Sequence, residues 1–434
     1  MENDDRRMTK KTKLCAAIAT AALALEGWAL LVVSVSPARW RPTMIARDEP
    51  AARAIYETMI EKLQKAERLS YMSSCSGPDA RASFHNVRLE KPDRLYLDAV
   101  NGMSSKTTTA IGDGNNIWIY FSGDRPFVRT IDDDESHERT ISEVYVRQAT
   151  TGERNSAAAD MDLLGRAWYG LILDPEIFHG RTDPLEPYID GIRYRGRNKV
   201  GSEMCDVIEI TYMNAHRARH FWISTQDHLP RRIKEIIRLA ENHVTVEEWM
   251  KPDTDPEIPP RTFTWSPPEG WRQWTPPSPE RFLLPAGSQA PDFELRSAGS
   301  GTISLSAYRG KVVWLHVWQA GSLHGREQMR HLQSLHDKHR DKGLAILGFN
   351  CVDDRRIAQT FLRDNAVTFP TVLDATEAAQ RVVSVGLASR TLSEPLTCII
   401  NRDGKVVDAW YGSEKSKRRG AAAFKDAGLQ VETE

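Results

Sequence analysis

The chain has 434 residues, 40% hydrophobic and 27% charged, with 58 Lys and Arg against 59 Asp and Glu. The composition is that of a globular protein, and the length exceeds one ordinary domain. A net charge of −1 excludes a global basic field that would recruit nucleic acid.

Taken in chain order, Arg6, Arg7, Lys10, Lys11 and Lys13 precede an apolar run from Leu14 to Val35, interrupted by Glu26. A basic flank before an apolar segment is the pattern of an export signal or a membrane anchor. Ser36-Pro-Ala38 offers a small-residue cleavage site. Residues 1–38 are therefore expected to be a signal peptide or an anchor. Either fate places everything after about residue 39 outside the cytoplasm.

Residues 48–271 form the next expected unit. Ala51 to Arg68 has helical periodicity, with Ile55, Met59, Ile60 and Leu63 on one face. Strand-like segments follow at 82–89, 95–100, 116–121, 205–212, 220–224, 231–239 and 243–250. Many strands after one helix predict an α+β unit with a strongly curved antiparallel sheet, a half-barrel around the helix. His216 and His220 would suit a metal on a helix, but on a strand they stand roughly 13 Å apart and share no ion. The acidic run Asp132–Glu135 lacks the glycine and ligand alternation of a calcium loop and reads as solvated. Segments 251–260 and 274–280 are rich in proline and read as spacers, with the linker at 272–282.

Residues 283–430 change character. Val312 to Trp318 and Gly343 to Phe349 are apolar runs of strand type, and Cys398 to Val407 reads as a hairpin turning at Asp403-Gly404. Gly287-Ser-Gln-Ala-Pro291-Asp-Phe293 and Ile303 to Lys311 lead into the first of these strands, and Met329 and Leu332 take the apolar positions of the helix after it. On these residues the region resembles the redoxin family (AhpC/TSA and TlpA-like proteins). The resemblance implies a thioredoxin-like α/β/α domain, with Glu394-Pro395 as the cis-proline loop facing the active site. Arg330 stands where the family often has a kinking proline.

Family members usually follow the central strand with Trp-Ala-x-Trp-Cys-x-x-Cys. Here Trp318-Gln-Ala-Gly-Ser322-Leu-His324-Gly325 puts Ser322 and Gly325 on the two cysteine positions. Disulfide exchange needs a thiolate and a resolving thiol, and serine supplies neither. Ser322 reads as the N-cap of the following helix. As a hydrolytic nucleophile it would need a base and an oxyanion hole, and beyond the neighbouring His324 no third member is evident.

Of the five cysteines, Cys15 lies in the leading apolar segment, and no two lie within a short zinc or redox motif. Cys75 and Cys205 share the first unit, where an extracytoplasmic location permits a disulfide. The thioredoxin fold implied by the resemblance would place the active-site strand between Cys351 and Cys398, which disfavours a direct bond. His336 and His339 on a helix are two metal donors without further ligands, and read as surface residues.

The first unit carries Val87-Arg-Leu-Glu-Lys-Pro-Asp-Arg-Leu-Tyr-Leu97, Gly112-Asp-Gly114 before Ile117-Trp-Ile-Tyr120, Gly201 to Ile208, Phe221-Trp-Ile-Ser224, Leu229-Pro-Arg-Arg232 and Phe263 to Gly270. In these it resembles the LolA-like and DUF2092 group of envelope proteins. That implies an incomplete barrel with an apolar groove, which in LolA takes lipoprotein acyl chains. The expectation is an extracytoplasmic envelope protein whose thioredoxin-like domain is redox-inactive and binds lipid, lipoprotein or unfolded polypeptide. The expected catalytic, cofactor and metal sets are empty, with membrane contact through the N-terminal segment if it is retained. The alternative is a thiol-disulfide oxidoreductase or peroxiredoxin-like protein of the redoxin family.

Overall fold

The computed structural model describes residues 48–429 except 78–81, 102–106, 123–142, 149–171, 174–176, 181–182, 184, 214, 274–279, 281–282, 321–324, 384–394 and 413–415. Helix α1 (Pro50–Lys65) opens with proline at its first turn and ends with Lys62 and Lys65, which suit its negative end. Ala52, Tyr56, Met59 and Leu63 form its buried stripe. The helix stops before Arg68, where sequence periodicity would have carried it. From Leu69 burial alternates residue by residue through Tyr71, Ser73 and Cys75, the period of a strand.

That strand is β1 (Arg68–Ser76). It is followed by β2 (Ala82–Glu90), β3 (Arg94–Asn101), β4 (Thr107–Asp113), β5 (Asn116–Ser122) and β6 (Glu143–Gln148). Next come β7 (Ile189–Val200), β8 (Glu203–Tyr212), β9 (Arg217–Ser224), β10 (Pro230–Ile237), β11 (His243–Asp253) and β12 (Arg272–Gln273). They form one sheet in the order β12-β6-β5-β4-β3-β2-β1-β11-β10-β9-β8-β7. Neighbours are antiparallel except β12 beside β6. Twelve strands laid flat would span roughly 55 Å, against about 10 Å for a helix. Yet α1 shares a single core with Val87, Leu97 and Ile119 on one arm and with Ile192, Ile208 and Phe221 on the other. The sheet therefore curves around the helix. Ile172, Leu173, Ile177 and Phe178 complete the same core.

Strands β1, β4, β6, β7 and β12 lie outside the segments anticipated from sequence, β12 falling at the start of the expected linker. In β7 the reason is physical: the register shifts between Ile189 and Gly191 and again between Tyr194 and Gly196, which breaks the alternation of a strand. The supposed spacer at 251–260 is also partly structure. Lys251–Asp253 completes β11, Ile258 and Phe263 are buried, and Trp265 stacks on Tyr120 with ring centroids 4.7 Å apart.

The second sheet follows a small hairpin of β13 (Glu294–Arg296) and β14 (Thr302–Ser304). It contains β15 (Val312–Val317), β16 (Leu344–Asn350), β17 (Thr371–Leu373), β18 (Leu396–Ile400) and β19 (Val406–Tyr411), in the order β17-β16-β15-β18-β19. Strands β15 to β17 are parallel, and β18 and β19 return antiparallel. The expected hairpin after Pro395 is thus β18–β19.

Helices α2 (Gly325–His339), α3 (Arg355–Asp364), α4 (Glu377–Arg381) and α5 (Ser416–Asp426) cover this sheet. Every residue of β15 and β16 is buried, as parallel strands covered on both faces must be. Val313, Leu315 and Val317 join one core with Phe293 and Val383. Val312 and Trp314 join the opposite one with Met329, Leu332, Phe361 and Phe424. This is the thioredoxin-like arrangement that the segment order implies.

Candidate active-site turn and its surroundings

Strand β15 delivers its last residues to the edge where a thioredoxin-like domain does its chemistry. Trp318 follows directly. Its amide donates to the Phe349 carbonyl at 3.0 Å, and its ring stacks on Phe361 at 5.2 Å. Val317 pairs with Leu396, so the register brings Trp318 and Pro395 to the same edge. The Pro395 carbonyl accepts from Gly412 N–H at 2.9 Å. Gly325 opens α2. Ser322, His324 and Glu394 lie outside the described residues, as do Cys15 and Asp132–Glu135.

Four of the five cysteines lie among the described residues. Cys75, Cys205, Cys351 and Cys398 are buried and form no disulfide with one another. Burial pushes the thiols of Cys75, Cys351 and Cys398 up to about 12, and raises that of Cys205. At pH 7 a thiol of that pKa is ionised in about one molecule in 100,000, whereas exchange needs the thiolate. Cys351 follows β16, Cys398 sits in β18, and β15 runs between them, as the fold implied by the resemblance requires. The permitted Cys75–Cys205 disulfide is absent. β1 and β8 are separated by β11, β10 and β9, about 19 Å along the sheet, far beyond disulfide reach.

The histidines fall into separate environments. His216 and His220 flank and occupy β9 and have different partners, Asp353 at 2.9 Å and Glu209 at 3.1 Å. His339 is buried, contrary to its reading as a surface residue, because it falls on the sheet-facing side of α2 with Leu332 and Leu335; His336 is half-buried. No group of three metal-ligating side chains occurs among the described residues. His316, unremarked in the sequence, is buried in mid-β15, and burial alone lowers its pKa to about 3. It stays neutral, 3.4 Å from the Thr397 hydroxyl, and cannot act as a base gated near pH 7.

One constellation was not anticipated. Asp353 sits just beyond β16 with a fully buried carboxylate. Its Oδ2 accepts from the backbone N–H of Ala320 at 2.6 Å and from Asn350 Nδ2 at 2.7 Å; Oδ1 faces His216 Nε2 of the first sheet. Asn350 Oδ1 in turn accepts from the amides of Val352 and Asp353. The next acid, Asp354, caps α3 by accepting from Arg356 and Ile357. In the sequence, the pair Asp353-Asp354 before a helix holds one acid more than a cap requires, and that surplus was the available signal.

Two family comparisons match these two regions. Residues 286–409 match the AhpC/TSA family, and residues 177–274 match DUF2092, described as a predicted periplasmic protein. The thiol-disulfide oxidoreductase ResA of Geobacillus kaustophilus is 28% identical over 127 residues, 29% of this chain and 70% of that protein. ResA of Halalkalibacterium halodurans is 28% identical over 133 residues, 31% of this chain and 72% of that protein. Among solved structures, a secreted thiol-disulfide isomerase from Corynebacterium glutamicum aligns at 25% identity and a TM-score of 0.29, covering 32% of this chain and 86% of that one. A thioredoxin family thiol:disulfide interchange protein from Chlorobium tepidum aligns at 15% identity and a TM-score of 0.30, covering 33% and 98%.

Proposed function

Because the chain joins a DUF2092 domain to an AhpC/TSA thioredoxin-like domain, we propose that it is an envelope protein whose thioredoxin-like domain binds extended polypeptide without redox chemistry. The observation that carries this reading is the missing thiol: Ser322 and Gly325 occupy the cysteine positions, and every described cysteine is buried with its thiol pushed up. The boundaries we assign are 1–38 for the leading signal or anchor, 48–271 for the first domain, 272–282 for the linker, whose first two residues pair with the large sheet as β12, and 283–430 for the thioredoxin-like domain. Envelope location is supported by the periplasmic description of DUF2092 and by the basic-then-apolar order of residues 6–35.

Polypeptide is favoured over lipid or lipoprotein for one reason. The concave face of the large sheet, where a LolA-like groove would take an acyl chain, is filled by α1 and by Ile172, Leu173, Ile177 and Phe178. The edge carrying Trp318 and Pro395 is where a thioredoxin-like domain receives extended chains. The relatives named as thiol-disulfide oxidoreductases supply the competing reading, and one assay separates the two. The purified chain is expected to reduce no disulfide substrate, while Ser322→Cys/Gly325→Cys gains turnover, and both delay refolding of an unfolded client. Turnover in the parent that disappears with Cys351→Ser or Cys398→Ser would establish a relocated redox centre and replace this reading.

A further inference from the structure

The surroundings of Asp353 join parts of the molecule that have no other reason to meet. His216 lies 137 residues away in sequence, on the large sheet, and its side chain and that of Asp353 are 1% and 0% exposed. Two backbone contacts flank the pair. Ala240 N–H donates to the Val352 carbonyl at 3.0 Å, and Leu239 bridges to Asp353. The strand ends carrying them are themselves tied, because Arg238 N–H donates to the His216 carbonyl at 2.9 Å. On the other side the same carboxylate holds the amide of Ala320, the last described residue before the turn carrying Ser322.

Burying a charged carboxylate is costly unless it is fully hydrogen-bonded. Among the described residues, the donors to Asp353 are the neighbouring Asn350 and two groups from distant segments, Ala320 and His216. His216 is less well served. Its Nδ1 is buried with no hydrogen-bond partner, so the Asp353 contact is what its ring has in exchange for leaving water. Removing Asp353 strands the His216 ring, and removing His216 leaves Asp353 Oδ1 without its donor while Oδ2 keeps two.

We propose that Asp353 is an interdomain clasp, coupling the backbone at Ala320, just past β15, to the His216 and Ala240 edge of the large sheet. Coupling of this kind is reciprocal. A ligand that shifts Ala320 loosens the large-sheet edge, and a ligand on that edge changes the hold on Ala320. The clasp does not rest on redox silence, so it can stand or fall separately from the function proposed above.

Amide hydrogen exchange of the full chain tests this. His216 does not touch Ala320 and meets its acceptor, the Asp353 carboxylate, only at the other oxygen, yet His216→Ala is expected to speed exchange of the Ala320 amide at least tenfold. In the converse direction, Asp353→Asn is expected to speed exchange at Ala240. His216→Gln restores a side-chain N–H donor and is expected to return Ala320 to within about threefold of the parent. Amides of Ile208 and Leu347, in the two cores, report whether each variant remains folded. If both alanine and glutamine variants alter only residues 213–216 and 238–240, with Ala320 unmoved, the clasp is refuted. If His216→Ala proves unfolded, the glutamine variant and Asp353→Asn still decide the question.

Discussion

Glu247 sits in β11 with no exposure to water, opposite Cys75 of β1. It accepts from the Ile172 amide at 2.7 Å and from Trp249 Nε1 at 2.9 Å, which favours its charged form. Burial works against that and wins, raising its pKa to about 7. In an unfolded chain it would titrate near the ordinary glutamate value. A folded pKa above the unfolded one means that its contribution is complete below about pH 4.5 and is lost as pH rises to about 7, a change of roughly 3 kcal/mol. His85 and His316 titrate in the overlapping range with the opposite sign. Their folded values are lowered to about 4 and about 3, so their contribution is lost as pH falls below the usual histidine range. The prediction is therefore a difference. In urea unfolding, the stability of the parent minus that of Glu247→Gln should shrink from pH 4.5 to pH 7.5, and a constant difference would show that Glu247 stays ionised. Nothing in the linear sequence marks Glu247, and only the second acid beside the α3 cap hints at Asp353. Each is an ordinary acid among 59, and only the fold removes it from water. The positions that were legible are those where a motif fixed the count, such as Trp318, Gly325 and Pro395.

Elements were legible wherever burial follows one clean period. β2 alternates along its whole length, and β15 is buried throughout and apolar except at His316, so both were placed to within a residue or two. β7 escaped because two register shifts interrupt its alternation and because four of its residues, Arg193, Arg195, Arg197 and Lys199, are basic. Those arginines are matched across the strand pair, Arg195 to Glu209 and Arg197 to Asp206, which the linear sequence does not display. Helix α5 holds another feature visible only in the fold. A Cβ at Gly420 would stand 2.5 Å from Cζ3 and 2.7 Å from Cη2 of Trp314. That indole cannot retreat, since Trp410 and Phe424 pack on it at 5.8 and 5.4 Å between centroids. Alanine is ordinarily the better helix former by about 1 kcal/mol. Here the overpacking should exceed that gain, and Gly420→Ala is expected to lower stability by about 1–3 kcal/mol. A variant as stable as the parent, measured by its urea midpoint, would mean that α5 rides freely on the sheet.

At the scale of the whole chain, the described residues contain three apolar clusters, and none includes residues from both sheets. Among the described residues, the contacts between the sheets include the Asp353–His216 pair, the Ala240 to Val352 hydrogen bond and the Leu239 bridge. Breaking a buried pair of this kind costs about 3–5 kcal/mol, which is comparable to a fraction of one domain's stability and well below the cohesion of either core. Domains that share no apolar core can unfold separately. Calorimetry of the full chain should therefore resolve two transitions. Gly420→Ala should lower the one belonging to the thioredoxin-like domain by a few degrees and leave the other within about 1 °C, since its clash lies wholly inside that domain's core. His216→Ala should instead lower both, because it leaves Asp353 Oδ1 without its donor on one side and opens the large-sheet edge on the other. A single transition displaced equally by both substitutions would mean that the sheets fold as one cooperative unit. The clasp would then be a minor part of an interface whose strength lies elsewhere.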